Sequence, residues 1–403
     1  MTERKQKWIL VRRDDYCVSA LWKDFKIEDL NVCETDSGDV GKIYVGHVRN
    51  IVKNIQAAFV EYKKDCFGYL ELKNCPPNLV IHEGDDLLVQ VQRDAVKTKN
   101  PVLSMNLQIA GRYCIAMKDS CGVCISAKIR NEEWKRTVKE LFDHSANVIV
   151  RTNSYELQDL GLLQTEYCKL CAKLEEIEQI GTKRTPFSLI YTPPMEYCTC
   201  VRDSKLTDFD EILTDDEEIY RELYHTLEPF GTDVTNLVKL IQPIQGDYLS
   251  LEGKFGIFKE MDRLTQRVVH LPSGAYLVID YTEALTVIDV NSGKAVNGKK
   301  NKGDEAFLKL NCEAAVEVAR QIRLRNLSGM ILVDFIDMKA PESTAKLVNL
   351  MKAEVYKDPV PVSVVDITGL GIMELTRKRV TKPLHERIRN KDFQISEKNV
   401  DKY

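Results

Sequence analysis

Two apolar segments of this chain each carry acidic residues inside a strand-like run: TVIDVNSGK with Asp289, and MILVDFIDM with Asp334 and Asp337. A carboxylate in such a run is costly to bury unless a partner neutralises it. Strand side chains alternate, so Leu285, Val287, Asp289 and Asn291 should share one face, and Thr286, Ile288 and Val290 the other. If the two strands are neighbours, Asp289 and Asp334 meet and can hold a hard divalent cation such as Mg²⁺, with Mn²⁺ as a substitute. Such a site points to hydrolytic phosphodiester chemistry. The competing reading has each aspartate capping a turn or pairing with a nearby arginine. Asp337 is the weaker candidate, because three residues along a strand reverses the face.

At 403 residues and 44% apolar, the chain is long enough for about two to four domains with real cores. It has no run of about 18 apolar residues and starts with the charged MTERKQKW, so it is expected to be soluble and cytoplasmic, without a membrane span. A net charge of −4 argues by itself against a nucleic-acid binder. Local distribution matters more: seven Lys/Arg face only Glu386 between Arg377 and Lys391, and Arg320, Arg323 and Arg325 cluster beside the acidic strands, so a basic surface near the site is expected. Twelve cysteines in such a chain should be reduced thiols. The pairs Cys121/Cys124 and Cys168/Cys171 could together form a Cys₄ zinc site, but the second pair lacks the glycine-rich context of zinc knuckles and the site is disfavoured.

Further motifs carry a resemblance. TEALTVIDVNSGK, EAFLKLNCEAAVEVARQIRLRNLSGMILVDFIDM and LGIMELTRKR closely resemble the ribonuclease E/G family, in its compact, ribonuclease G-like form. The resemblance implies that Asp289 and Asp334 bind a catalytic magnesium and that Asn291 orients the second carboxylate. It implies an endoribonuclease acting on single-stranded RNA and leaving 5′-phosphate and 3′-hydroxyl ends. The alternative is a non-catalytic RNA-binding or ribosome-assembly factor that retains the fold. Lys294, Arg320 and Arg323 are candidate phosphate contacts.

KIYVGHVRNIV, AAFVEYK, CFGYLEL and DDLLVQVQRDAV are short alternating strands broken by Gly, Asn and Pro, the pattern of a small β-barrel, here similar to the S1 RNA-binding form. Phe59, Tyr69 and Lys99 stand where the family presents its RNA-contacting aromatic pair and lysine; Tyr69 departs from the usual phenylalanine. Arg151 and Thr152 match the family's pocket for a 5′-monophosphate, and Pro361 replaces that pocket's second basic residue. By the same resemblance the fold is α+β and multidomain. Residues 1–38 with 205–273 form a ribonuclease H-like subdomain, 39–115 the S1 barrel, and 116–204 a 5′-sensor-like subdomain and linker. Residues 274–385 form a deoxyribonuclease I-like catalytic subdomain, and 386–403 a charged tail. GTKRTPFSLIYTPPMEYCTC reads as the linker, and Thr214 to Glu217 as a helix capping box. The family's CPxCxGxG segment is absent after Cys312, so any homo-oligomer is expected to be linked other than through zinc.

Overall fold

The computed structural model describes residues 6–13, 16–34, 38–76, 79–95, 100–119, 122–143, 145–242, 250–282, 284–296 and 303–388. They divide into two compact units, one drawn from the segments Met1–Thr35, Asp208–Tyr224 and Phe230–Tyr403, the other from Asp36–Thr207 and His225–Pro229. Among the described residues no helix is long and apolar enough to cross a membrane.

The first unit holds two sheets. In the smaller, strands Gln6–Arg13, Tyr16–Lys23 and Lys26–Glu34 form an antiparallel meander, and Glu211–Thr214 joins in parallel beside the first of them, followed by Val238–Leu240. Distant parts of the sequence are thus hydrogen-bonded into one sheet, and its apolar face packs on helices Leu251–Phe255, Ile257–Thr265 and Leu384–Ile388. The helix Glu217–Leu227 is capped by Asp216, whose Oδ1 accepts from the amides of Glu218 and Ile219, while Thr214 only accepts from Asp216. The cap thus sits two residues beyond the expected Thr214, because the strand retains Thr214 as its buried last residue.

The larger sheet has six strands in the order Val268–His270, Tyr276–Tyr281, Leu285–Asn291, Gly329–Asp334, Ile372–Arg377, Val362–Ile367. Only the pair Leu285–Asn291 and Gly329–Asp334 is parallel, and parallel neighbours need a long crossover. The 21-residue helix Asp304–Leu324 supplies it. Its Ala314, Ala315, Val318, Ala319 and Ile322, with Leu347, Met351 and Val355 of helix Pro341–Val355, bury Leu277, Ile279, Ile288, Val290, Ile331 and Val333 on one sheet face. Ile372–Arg377 separates the Asp334 strand from Val362–Ile367 and lies between them in the sheet.

In the second unit, strands Ile43–Val52, Ala57–Lys63, Cys66–Glu71, Val102–Ser104 and Asp86–Arg93 close into a barrel through pairing of the first with the last. A four-stranded sheet carries helices Glu132–Glu140 and Gly161–Gly181. The presumed linker is built into this unit: Leu189–Tyr191 adds a strand to the barrel sheet, and helix Glu196–Asp203 buries Tyr197, Cys198, Val201 and Arg202. Proline and threonine density obscured a strand only three residues long.

One buried ion pair ties the larger sheet together. Arg377 donates to Asp358 at 2.9 Å, to the side chain of Asn326 at 2.6 Å and to the carbonyl of Leu327 at 3.1 Å. Removing one partner of such a pair leaves the other charged and dry. Arg377→Met should therefore destabilise the protein by about 3–5 kcal/mol, read as a lowered urea midpoint, with Arg377→Met/Asp358→Leu recovering much of the loss.

Candidate active site

Asp289 and Asp334 are direct neighbours in register on the two parallel strands. Thr286, Ile288 and Val290 point into the core, as do Ile331 and Val333, so alternation leaves Asp289, Asn291 and Asp334 on the face that the helices do not cover. A slip of one residue in either strand would send its carboxylate into the hydrocarbon core. Both carboxylates are exposed, and among the described residues neither forms an ion pair with a basic side chain. That disposes of the expected alternative in which an arginine neutralises each of them.

The Asn291 amide donates to Asp289 Oδ2 at 2.7 Å. The expected partner was Asp334; the i,i+2 spacing on one strand places the amide against its own strand's carboxylate instead. Partial burial, then the charges of Asp289 and Asp337, push the Asp334 carboxyl above the ordinary carboxylate range. The strand ends at Asp334, so alternation does not govern Asp337, which lies on the loop beyond and close enough to act on Asp334. The long helix pins that loop: buried Asn311 exchanges hydrogen bonds with the backbone of Ile336 at 2.8 and 3.1 Å, and Asp304 accepts from the amides of Lys339 and Ala340 at 2.6 and 3.1 Å. Two adjacent carboxylates and a third nearby, with no basic side chain paired to Asp289 or Asp334 among the described residues, suit a hard divalent ion that keeps some of its waters. Among the described residues no group of three or more His, Cys, Asp or Glu converges on one point to form a fuller metal cage.

The expected basic surface is only partly free: Lys378, Arg379 and Lys382 are exposed, whereas four arginines are held by neighbouring groups. Arg320 donates to Glu260, Glu317 and the carbonyl of Ile27; Arg323 lies 3.9 Å from Glu28; buried Arg325 donates to Gln321 and Tyr281; Arg377 is consumed by Asp358. Arg320, Arg323 and Arg325 thus tie the long helix to its neighbours, and Arg377 ties its strand to Asp358. Lys294, just beyond Asn291, is exposed.

On the barrel, Phe59 and Tyr69 pair across adjacent strands, with ring centroids 6.1 Å apart and planes at 71°. The barrel core is built from Tyr44, Val48, Ala58, Val60, Tyr62 and Leu70, so both half-buried rings face outward. Phe67, two residues before Tyr69 and 42% exposed, extends this aromatic surface; nothing in its spacing separated it from an ordinary barrel residue. Lys99 lies outside the described residues.

Arg151 is not open to a ligand as expected. Its guanidinium grips both oxygens of Asp203, at 2.8 and 2.6 Å, and also donates to the carbonyl of Gly111. Thr152 Oγ1 lies 3.1 Å from Ser126 Oγ. Of the four cysteines considered for zinc, Cys121 lies outside the described residues, Cys124 and Cys168 are exposed, and Cys171 packs beside Leu107 and Leu174.

The family model described as "Ribonuclease E/G family" matches residues 108–380. That span contains Arg151, Thr152, Asp289, Asn291 and Asp334, and begins after Phe59 and Tyr69. Ribonuclease G of Escherichia coli (strain K12) is 30% identical over 376 residues, covering 86% of this chain and 74% of that protein. Ribonuclease E of Nostoc sp. (strain PCC 7120) is 29% identical over 398 residues, 94% of this chain and 56% of that protein. Ribonuclease E of Haemophilus influenzae (strain Rd) is 31% identical over 373 residues, covering 85% and 38%. With more than half of its length matched by one model and this degree of likeness, the chain belongs to the ribonuclease E/G family.

Proposed function

We propose that this protein is a Mg²⁺-dependent endoribonuclease of RNA processing or decay that cleaves single-stranded RNA to 5′-phosphate and 3′-hydroxyl products. The observation that carries this reading is the in-register Asp289/Asp334 pair on an open sheet face, with no basic side chain paired to it among the described residues. Asp289 and Asp334 would hold the metal, and Asn291 fixes the Asp289 carboxylate through its amide. Magnesium bound there would supply Lewis acidity at a phosphodiester and an activated water. Phe59 and Tyr69 give the barrel an outward platform for stacking bases. The smaller sheet, with three antiparallel strands followed by two parallel ones, supports the ribonuclease H-like assignment, and helices on one face of the larger sheet support the deoxyribonuclease I-like one.

Asp289→Asn and Asp334→Asn should each abolish cleavage of a single-stranded oligonucleotide in Mg²⁺ while leaving its binding largely intact, since each removes metal charge and no strand contact. Wild-type rates in either variant would remove the two-carboxylate assignment. In the same binding assay, Phe59→Ala and Tyr69→Ala should each weaken affinity by about 1–3 kcal/mol, the worth of a base–aromatic stack; unchanged affinity in folded variants would make the rings structural.

A 5′-monophosphate must displace Asp203 to reach Arg151, and Pro361 offers no second charge. A charged hydrogen bond is worth about 1.5–3 kcal/mol, and tenfold selectivity needs only about 1.4 kcal/mol, so preference for 5′-monophosphate over 5′-hydroxyl RNA should be weak. Asp203→Asn should raise it; matched oligonucleotides with the two ends measure both effects.

A further inference from the structure

The row of residues next to the carboxylates holds aromatic side chains that the chemistry above does not use. His270, Tyr276 and Asn291 are cross-strand partners on three successive strands, and the neighbouring row runs Val268, Val278, Asp289, Asp334, Ile372. Residues two apart on a strand share a face. Tyr276 and His270 therefore stand on the same open face as Asp289, while Val269, Leu277 and Ile279 between them turn to the helices. Tyr276 opposes Asn291 directly, which makes it the diagonal neighbour of Asp289, at a typical separation of about 7–8 Å. That is within the reach of one nucleotide along an extended strand.

The ring is held in place. The turn after Asn291 passes beside it with Gly293 at φ 50°, and a Cβ at Gly293 would come within 3.3 and 3.4 Å of two Tyr276 ring carbons and 2.4 Å of the Gly274 carbonyl. Only glycine lets the backbone approach this closely. His270 flanks the ring on the other side, centroids 6.1 Å apart at 56°. Lys294, exposed on the same turn, offers a cation one residue beyond. The phenol ring is half-buried, held between the Gly293 turn and His270, faces away from the helix-covered core and borders the Asp289/Asp334 pair.

We propose that Tyr276 is a nucleotide-positioning residue: its ring stacks the base adjacent to the scissile phosphate, with Lys294 beside that nucleotide's backbone, so that the sheet face itself selects the register of cleavage. This rests on the reading that the face cleaves RNA, and it adds to the barrel platform a second stacking position that neither the motifs nor the barrel requires.

The test pairs Tyr276→Phe and Tyr276→Leu with oligonucleotides carrying a single abasic site, scanned one position at a time across the cleavage site. Tyr276→Phe, which keeps the stack, should retain the wild-type KM. Tyr276→Leu should raise KM by about 5- to 100-fold, the range a lost base–aromatic stack implies, with kcat little changed. At one flanking position the abasic substrate should reproduce that loss in the wild type and add nothing to it in Tyr276→Leu. Equal losses on intact and abasic substrates at every position, or an unchanged KM in folded Tyr276→Leu, would overturn the proposal. Tyr276→Thr, another β-former, stands in if Tyr276→Leu does not unfold cooperatively. The same variants compared for binding in an Asp289→Asn background score the stack without cleavage, so a wild type that fails to cut RNA would count against the proposed activity and leave this comparison intact.

Discussion

The parallel pairing of Leu285–Asn291 with Gly329–Asp334 is the constraint on which the site depends. Two strands whose connection runs from Asn291 to Gly329 are brought side by side because helix Asp304–Leu324 has an apolar stripe that must be buried and a length that spans the sheet. Burial of that stripe against Ile288, Val290, Ile331 and Val333 fixes the register, and the register leaves Asp289 and Asp334 together in water. The hydrophobic face and the polar site are two consequences of one alternation.

Charge is distributed accordingly. Arginines that a linear reading assigns to RNA are used to hold the long helix and the sheet edge: Arg320 and Arg325 through several hydrogen bonds each, Arg377 through a buried carboxylate. Partial burial first, and then the charges of Asp289 and Asp337, hold the Asp334 carboxyl above its ordinary range, and among the described residues no basic side chain pairs with Asp289 or Asp334, which suits the place to a divalent cation. A slightly acidic protein of this kind can handle RNA through aromatic surfaces and a metal rather than through a basic field.

Arg151 follows the same pattern in the second unit. An arginine fork suited to a phosphate is closed by the chain's own carboxylate, Asp203, and the helix carrying Asp203 belongs to a segment whose proline and threonine content suggests a linker. The contact is one that a planar guanidinium makes equally well with a carboxylate or a phosphate.

Much of this was legible from residues alone. The period-2 pattern identified the Asp289 and Asp334 strands and which side chains share a face, and the alternating segments from Lys42 onward identified the barrel; Phe59 and Tyr69 were singled out by the family resemblance rather than by the pattern. These are local properties, set by backbone geometry and by which side chains avoid water. What remained hidden is pairwise and distant: the Asn291 amide choosing Asp289, Asp337 returning to the site because the strand stops first, the Ile372–Arg377 strand inserting between its neighbours, Asp203 closing on Arg151, and four arginines turning inward. A short strand or an ion pair draws its free energy from a partner elsewhere in the chain, and no periodicity within the segment encodes it. Which side chains turn away from the hydrophobic core follows from alternation along each strand; where Arg320, Arg325 and Arg377 spend their charge depends on partners that only folding brings close, Glu260, Gln321 and Asp358.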